Sequence, residues 1–337
     1  MTVPFEKYAG AGNDFVVVDA DTDSDPVGDR AAFARLHCDR EVGVRDDDSA
    51  ASGGAEDDGS VGPGADTARH GADGVLFLSL DEDPDPPTVA MTLVQPDGSV
   101  AEMCGNGVRC VAAWAASRSG ASTLAVDTPA GTRRAVVDGE LVAVEMGDPT
   151  FAPAEVPLAG DDPLLDTTLD ELDDTPAAGL AVTAVNTGVP HAVVFVDDED
   201  EIDLDAVAPP IRHAETFPEG ANVTFAALDG DGFRQRTFER GVEGETLACG
   251  TGAVAVVAAA KRLDRVCVSD EDWITVTPPG GELGVAVPDD GPARLRGPAE
   301  KRFEGELSAP DGDRIAGVTG EAALGVDRFD ADNGGEQ

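Results

Sequence analysis

Two short stretches of this chain carry residues suited to moving a proton. Cys104-Gly105-Asn106-Gly107 and Cys249-Gly250-Thr251-Gly252 share the pattern Cys-Gly-x-Gly, and each runs into small and apolar residues. The pattern places a thiol at the head of a helix, beside unpaired backbone N–H groups and the positive end of the helix dipole. Such surroundings are expected to favour thiolate and to lower the thiol pKa. The same N–H groups can hold a carboxylate, and the glycines let a ligand approach the backbone closely. One copy alone is weak, because Cys is also a small buried hydrophobe and glycine also serves packing. Two copies, one per half of the chain, match what inversion at carbon requires: one group on each face of a planar carbanion. Cys38, Cys110 and Cys267 lack this context and read as structural.

Other polar residues suit a zwitterionic ligand. Glu239-Arg240 precedes the second cysteine motif. Arg pairs bidentately with a carboxylate and Glu receives an ammonium, although these two residues alone read equally as a surface ion pair. Asn13 follows the glycine turn Gly10-Ala11-Gly12, where it caps a strand as readily as it binds a ligand. His191 follows Pro190 and on its own fits a satisfied loop histidine.

The elements that must position these groups are partly legible. Asp14 to Asp19, Gly74 to Leu78 and Val89 to Val94 read as strands, with Gln95-Pro96-Asp97-Gly98-Ser99 as a tight turn. A helix is predicted over Asp29 to Cys38. Later strands are expected at 135–137, 141–145, 193–196, 222–226, 233–238 and 273–276. The acidic stretch from Asp161 to Asp174 reads as a loop with one helical turn. The helices after both cysteines are apolar all round, hence buried. The expected fold is therefore α/β (α+β): two pseudo-symmetric domains, each a curved sheet wrapped around a central helix. Their expected limits are 1–148 and 149–296. Residues 45–69 lack apolar bulk and read as a disordered acidic insertion, and 308–337 as a mobile acidic tail.

Composition excludes several classes. The 337 residues hold 67 Asp plus Glu against 23 Lys plus Arg, a formal charge of −44. No basic footprint for nucleic acid exists, and an acidic membrane surface would repel the chain. The balance resembles adaptation to high salt, where counterions screen self-repulsion. No apolar run reaches membrane-spanning length, and Met1 to Asn13 shows no signal-peptide pattern. Five cysteines without a CxxC pair argue against a disulfide scaffold or a zinc site, so no metal is expected and the thiols are taken as cytoplasmic and reduced. The three lysines, Lys7, Lys261 and Lys301, offer no evident Schiff base for pyridoxal phosphate, and no cofactor is expected.

Four stretches together resemble the diaminopimelate epimerases: Lys7 to Phe15, Met103 to Cys110, Asn186 to His191, and Glu239 to Gly252. The resemblance runs from about residue 3 to 307 apart from the insertion. It implies two α/β domains about a pseudo-dyad with the active site between them, and a strand at 297–307 returning to the first. It also implies interconversion of LL- and meso-2,6-diaminopimelate in lysine biosynthesis, with Cys104 and Cys249 as acid and base. Substrate contacts follow at Asn13, Gln95, Gly105, Asn106, Asn222, Glu239, Arg240, Gly250 and Thr251, with His191 orienting the reacting centre. Gln95 stands where the family commonly has Asn, so its amide must recede by one methylene. Proline-type racemases share the two-thiol plan but usually carry His where Asn106 stands, and remain the rival enzyme reading. A non-catalytic binding member of the same fold is the rival of another class. The expected partner is a small amino acid; a homodimer is compatible with the sequence, which does not set the oligomeric state.

Overall fold

The structure, a computed structural model, describes residues 2–20, 27–45, 70–266, 269 and 272–309. The acidic insertion from residue 46, the tail beyond 309 and Cys267 lie outside the described residues.

The first half contains β1 (Thr2–Gly10), β2 (Asn13–Asp19), α1 (Arg30–His37), β3 (Gly74–Asp81), β4 (Thr88–Val94) and β5 (Val100–Ala101). It continues through α2 (Gly105–Ser119), β6 (Thr123–Thr128), β7 (Gly131–Asp138) and β8 (Leu141–Gly147). The second half contains β9 (Thr167–Thr168), β10 (Ala181–Asn186), β11 (Pro190–Phe195), α3 (Leu204–Arg212), β12 (Asn222–Asp229) and β13 (Gly232–Glu239). After these come β14 (Gly244–Thr246), α4 (Gly250–Arg262), β15 (Ile274–Thr277), β16 (Leu283–Ala286), β17 (Ala293–Pro298) and β18 (Glu300–Ser308). The stretch 161–174 holds β9 and a single 3-10 turn at Asp170–Leu172.

The two halves repeat one pairing scheme. β2 pairs parallel with β3, which turns back on β4; β4 pairs with β5 and then parallel with β6. β11, β12, β13, β14 and β15 follow the same order and directions. The halves join where β8 pairs antiparallel with β17, and β18 pairs antiparallel with β1.

Each half wraps its strands around one helix. α2 packs on β1, β4, β6, β7 and β8, and α4 on β10, β11, β12 and β16. Apolar residues face out on nearly every side of both helices because both are buried; Val108, Val111, Ala112, Ala115, Val254, Val256 and Val257 are fully enclosed. α2 ends cleanly because Gly120 adopts φ 70, a left-handed cap that glycine enters without steric cost.

Candidate active site

The two cysteines occupy the same station. Cys104 is the N-cap of α2 and its sulfur accepts the Gly107 N–H at 3.4 Å. Cys249 is the N-cap of α4 and its sulfur accepts the Gly252 N–H at 3.4 Å. The residues that follow them, Gly105 and Gly250, meet at one side chain of β17. A methyl built on Gly105 would lie 3.3 Å from Leu295 Cδ2, and one built on Gly250 would lie 2.7 Å from the same atom. The absence of side chains at both positions therefore lets the two helix heads converge on Leu295.

Around Cys104 the partners are amides and charges. Asn106 donates through Nδ2 to Asn13 Oδ1, and Asn13 Nδ2 donates to Asp73 Oδ2 at 3.0 Å. Asp73 pairs with Arg40, which also holds Asp14 at 2.9 Å; Asp14 in turn pairs with the buried Lys7 at 2.8 Å. Asn106 Oδ1 is buried without a partner among the described residues and lies 3.6 Å from a methyl built on Gly250. The tip of the β1–β2 hairpin, Ala11-Gly12, packs on Gly280, which donates its N–H to Leu247 O just before Cys249. Both turn residues have positive φ, 49 and 82, as a two-residue hairpin requires.

Around Cys249 the partners are hydroxyls, an amide and an imidazole. Thr251 Oγ1 lies 3.4 Å from Cys249 Sγ and 3.0 Å from His191 Nε2. His191 Nδ1 lies 3.2 Å from Thr224 Oγ1. Asn222 Nδ2 lies 3.4 Å from His191 Nε2, and Asn222 Oδ1 accepts the Arg240 N–H at 2.7 Å. Thr187 Oγ1 donates to the Thr251 carbonyl at 3.0 Å, fixing the entry of α4. Glu239 accepts from Thr246 Oγ1, and its charge acts on the Cys249 thiol.

Both thiols titrate high, which corrects the lowered pKa expected from the helix dipole. For Cys249, burial is the main cause and the Glu239 charge adds to it; the Thr251 hydroxyl and the Gly252 N–H pull the other way without winning. For Cys104, burial again leads, the Gly107 N–H opposes it, and Glu239 raises the thiol further. Removing water from a thiolate costs more here than the dipole returns. Burial also pushes Glu239 up, and drives His191 down to about 3, helped by the nearby charge of Arg240. Cys38 and Cys110 are buried thiols pushed up to about 12.

Two expected contacts stand apart from this cluster. Gln95 is exposed, and its amide turns back to Ser99 Oγ at 2.9 Å. The Arg240 guanidinium spends its Nη1 on the carbonyls of Glu219 and Gly220, at 3.2 and 3.4 Å. Conversely, sequence reasoning passed over Thr224, Gln235, Thr237 and Arg109. Arg109 is fully buried in α2; its Nε donates to Pro298 O at 3.4 Å, and its terminal nitrogens have no partner among the described residues. It places a fixed cation within reach of Cys104, whose pKa it lowers, where α4 has Val254 at the matching position. Among the described residues no helix is long and apolar enough to cross a membrane.

Solved structures share the fold. A Pseudomonas aeruginosa protein described as a predicted epimerase superposes with a TM-score of 0.62 at 15% identity, covering 91% of this chain and 100% of that one. A hydroxyproline epimerase from Agrobacterium vitis superposes with 0.54 at 15% identity, covering 92% and 94%. At the level of sequence, the diaminopimelate epimerase family model matches residues 65–152 and 183–302. Diaminopimelate epimerase of Methanocella arvoryzae is 41% identical over 312 residues, 90% of this chain and 96% of that protein. The enzyme of Methanothrix thermoacetophila is 40% identical over 311 residues, 90% and 95% of the two chains. The chain belongs to the diaminopimelate epimerase family.

Proposed function

We propose that this protein interconverts LL- and meso-2,6-diaminopimelate in lysine biosynthesis, by proton transfer between Cys104 and Cys249 across one α-carbon. The observation that carries the reading is the convergence of two cysteine-capped helix heads on Leu295, with Glu239 acting on both thiols. One thiolate takes the α-proton, and the electron pair of that C–H bond becomes the carbanion. The opposite thiol then delivers its proton to the other face, and the pair forms the new C–H bond. In reverse the roles exchange. An α-proton is a far weaker acid than a thiol, so the developing charge needs fixed donors; the N–H groups heading α2 and α4 supply them to the substrate carboxylate. Glu239 receives the substrate ammonium. That pairing relieves the push of Glu239 on both thiols and lets one ionise when substrate is present.

This chemistry needs no cofactor and needs reduced thiols; the four described cysteines are free. We read the protein as cytoplasmic and adapted to high salt. The test is turnover of LL-diaminopimelate in molar salt by the wild type, Cys104→Ala and Cys249→Ala. Each variant should fold and lose epimerisation, because one face has no proton carrier. Near-normal turnover by Cys249→Ala would sink the two-thiol reading. Turnover of proline without diaminopimelate would move the substrate to the proline-racemase type, against which Asn106 weighs.

A further inference from the structure

The pseudo-symmetry makes the two thiols comparable, and their surroundings differ in kind. The parallel pair β2–β3 runs Phe15↔Gly74 to Asp19↔Leu78, and β11–β12 runs His191↔Asn222 to Phe195↔Ala226. Phe15 thus corresponds to His191. By the same registers, Leu76↔Leu93 corresponds to Thr224↔Thr237, and Leu78↔Met91 to Ala226↔Gln235. Behind Cys104 these positions are apolar core: Phe15, Leu76, Met91, Leu93. Behind Cys249 four of them are buried polar side chains, His191, Thr224, Thr237 and Gln235.

Those side chains close a ring on Cys249. Gln235 Nε2 donates to Cys249 O and to Thr237 Oγ1, both at 3.1 Å; Thr237 and Thr224 hydroxyls lie 3.3 Å apart. From Thr224 the ring passes through His191 and Thr251 to the sulfur. The hydrogen positions follow. Asn222 Oδ1 is committed to the Arg240 N–H, so Nδ2 is the atom facing His191 Nε2. His191 Nε2 must then accept, and its proton sits on Nδ1, donated to Thr224 Oγ1. Thr251 has one proton and two neighbours able to take it: His191 Nε2 and the sulfur.

We propose that the Thr251 hydroxyl is a two-position donor for Cys249, turned to His191 Nε2 while Cys249 is a thiol and to the sulfur when it is a thiolate. The inference rests on the two-thiol reading, in which Cys249 must serve as acid and as base. As a thiol, Cys249 donates to the Thr251 oxygen while Thr251 donates to His191 Nε2. As a thiolate it has no proton to give; Thr251 rotates and donates to it, and the Asn222 amide still satisfies His191. Only a hydroxyl rotates, and the imidazole keeps its proton and tautomer. Cys104 has no such device, since Asn106 occupies the matching position and its amide is held by Asn13.

The test compares Thr251→Val and Thr251→Ser with wild type. Alkylation of Cys249 and Cys104 by iodoacetamide is followed against pH, resolved by site with mass spectrometry. In Thr251→Val the Cys249 midpoint should rise by about one to two pH units, the loss of one hydrogen bond to an anion. The Cys104 profile should stay in place. kcat/KM for diaminopimelate should fall about tenfold to a hundredfold, equally in both directions as the equilibrium constant requires. Thr251→Ser should restore both. An unmoved Cys249 midpoint in Thr251→Val, a shift of both cysteines together, or a serine variant no better than valine would each overturn the proposal. So would ¹⁵N shifts showing His191 protonated on Nε2, which the chain's four histidines make resolvable. If the wild type leaves diaminopimelate unchanged while alkylation behaves as expected, the functional reading fails and the role of Thr251 stands.

Discussion

The Glu239 carboxylate raises both thiols, Cys249 and Cys104, through its charge. It is itself pushed up by burial. A buried acid whose folded pKa lies above its unfolded value destabilises the fold as pH rises past the unfolded value, because the unfolded state ionises first. Glu239→Gln removes that burden. The variant should be more stable than wild type at neutral pH, and its thiols should titrate lower. Activity should fall at least about tenfold, since the proposed ammonium partner is gone. Calorimetry and turnover on the same preparation check this. A variant that loses stability and keeps activity would contradict it.

Gly250 and Leu295 set how closely the helix heads approach. In Gly250→Ala the new methyl meets Leu295 Cδ2 at 2.7 Å, inside contact distance, and Leu295 is fully buried. Overpacking of this kind costs about 1–3 kcal/mol. The larger effect should be on rate, since small misplacements of catalytic groups cost up to about a hundredfold. Leu295→Val in the same chain should recover part of the activity by making room. Full activity in Gly250→Ala alone would show that the convergence is not needed.

The repeat, both central helices and the paired thiols are legible in the sequence because a cysteine cap, two glycines and an unbroken apolar run need no tertiary context. α3 is not, because Pro209 and Pro210 read as breakers. Neither proline has an N–H to give the carbonyl four residues back, Asp205 or Ala206, and both of those residues are exposed, where the lost bond costs least. Thr224, Gln235 and Thr237 look like the solvent face of alternating strands. Only the closure of the sheet around α4 turns that face inward. The thiol pKa ran opposite to expectation for a related reason: a helix head is visible in sequence, while the depth at which it lies is not.

His191 gives a pH signature with a definite sign. Its folded pKa is about 3, against an ordinary value of 6.5. Between those values the unfolded state binds a proton that the folded state refuses, so stability is fully present above pH 6.5 and is lost as pH falls toward 3. The full difference is up to about 5 kcal/mol. His37 is lowered too, by burial, so the comparison of wild type with His191→Gln isolates the effect. The variant should show a shallower loss of unfolding free energy from pH 6.5 to 4. Equal slopes would mean that the imidazole is protonated in the fold. Activity of the wild type should show no inflection from His191 between pH 6 and 8.

The charge of −44 makes the two halves repel each other, and the proposed site draws residues from both. In dilute buffer that repulsion opposes the fold and the approach of the two helix heads. At 1 M salt the screening length is roughly 3 Å, and only direct contacts remain. Turnover should therefore rise steeply with salt, through kcat and stability together. Residues 45–69 carry seven acidic and two basic side chains and almost no apolar area to bury. They add repulsion without a compensating core. Replacing 47–66 with a short Gly-Ser linker should keep the chemistry and move the salt–activity curve to lower concentration. Val44, just before the segment, accepts the Gly71 N–H, and nearby Arg40 leads through Asp73 and Asn13 to Asn106, so the variant also tests whether that chain depends on the segment. A folded but inactive variant would show that the segment contributes to the site. The reading of it as a solvated loop would then be wrong.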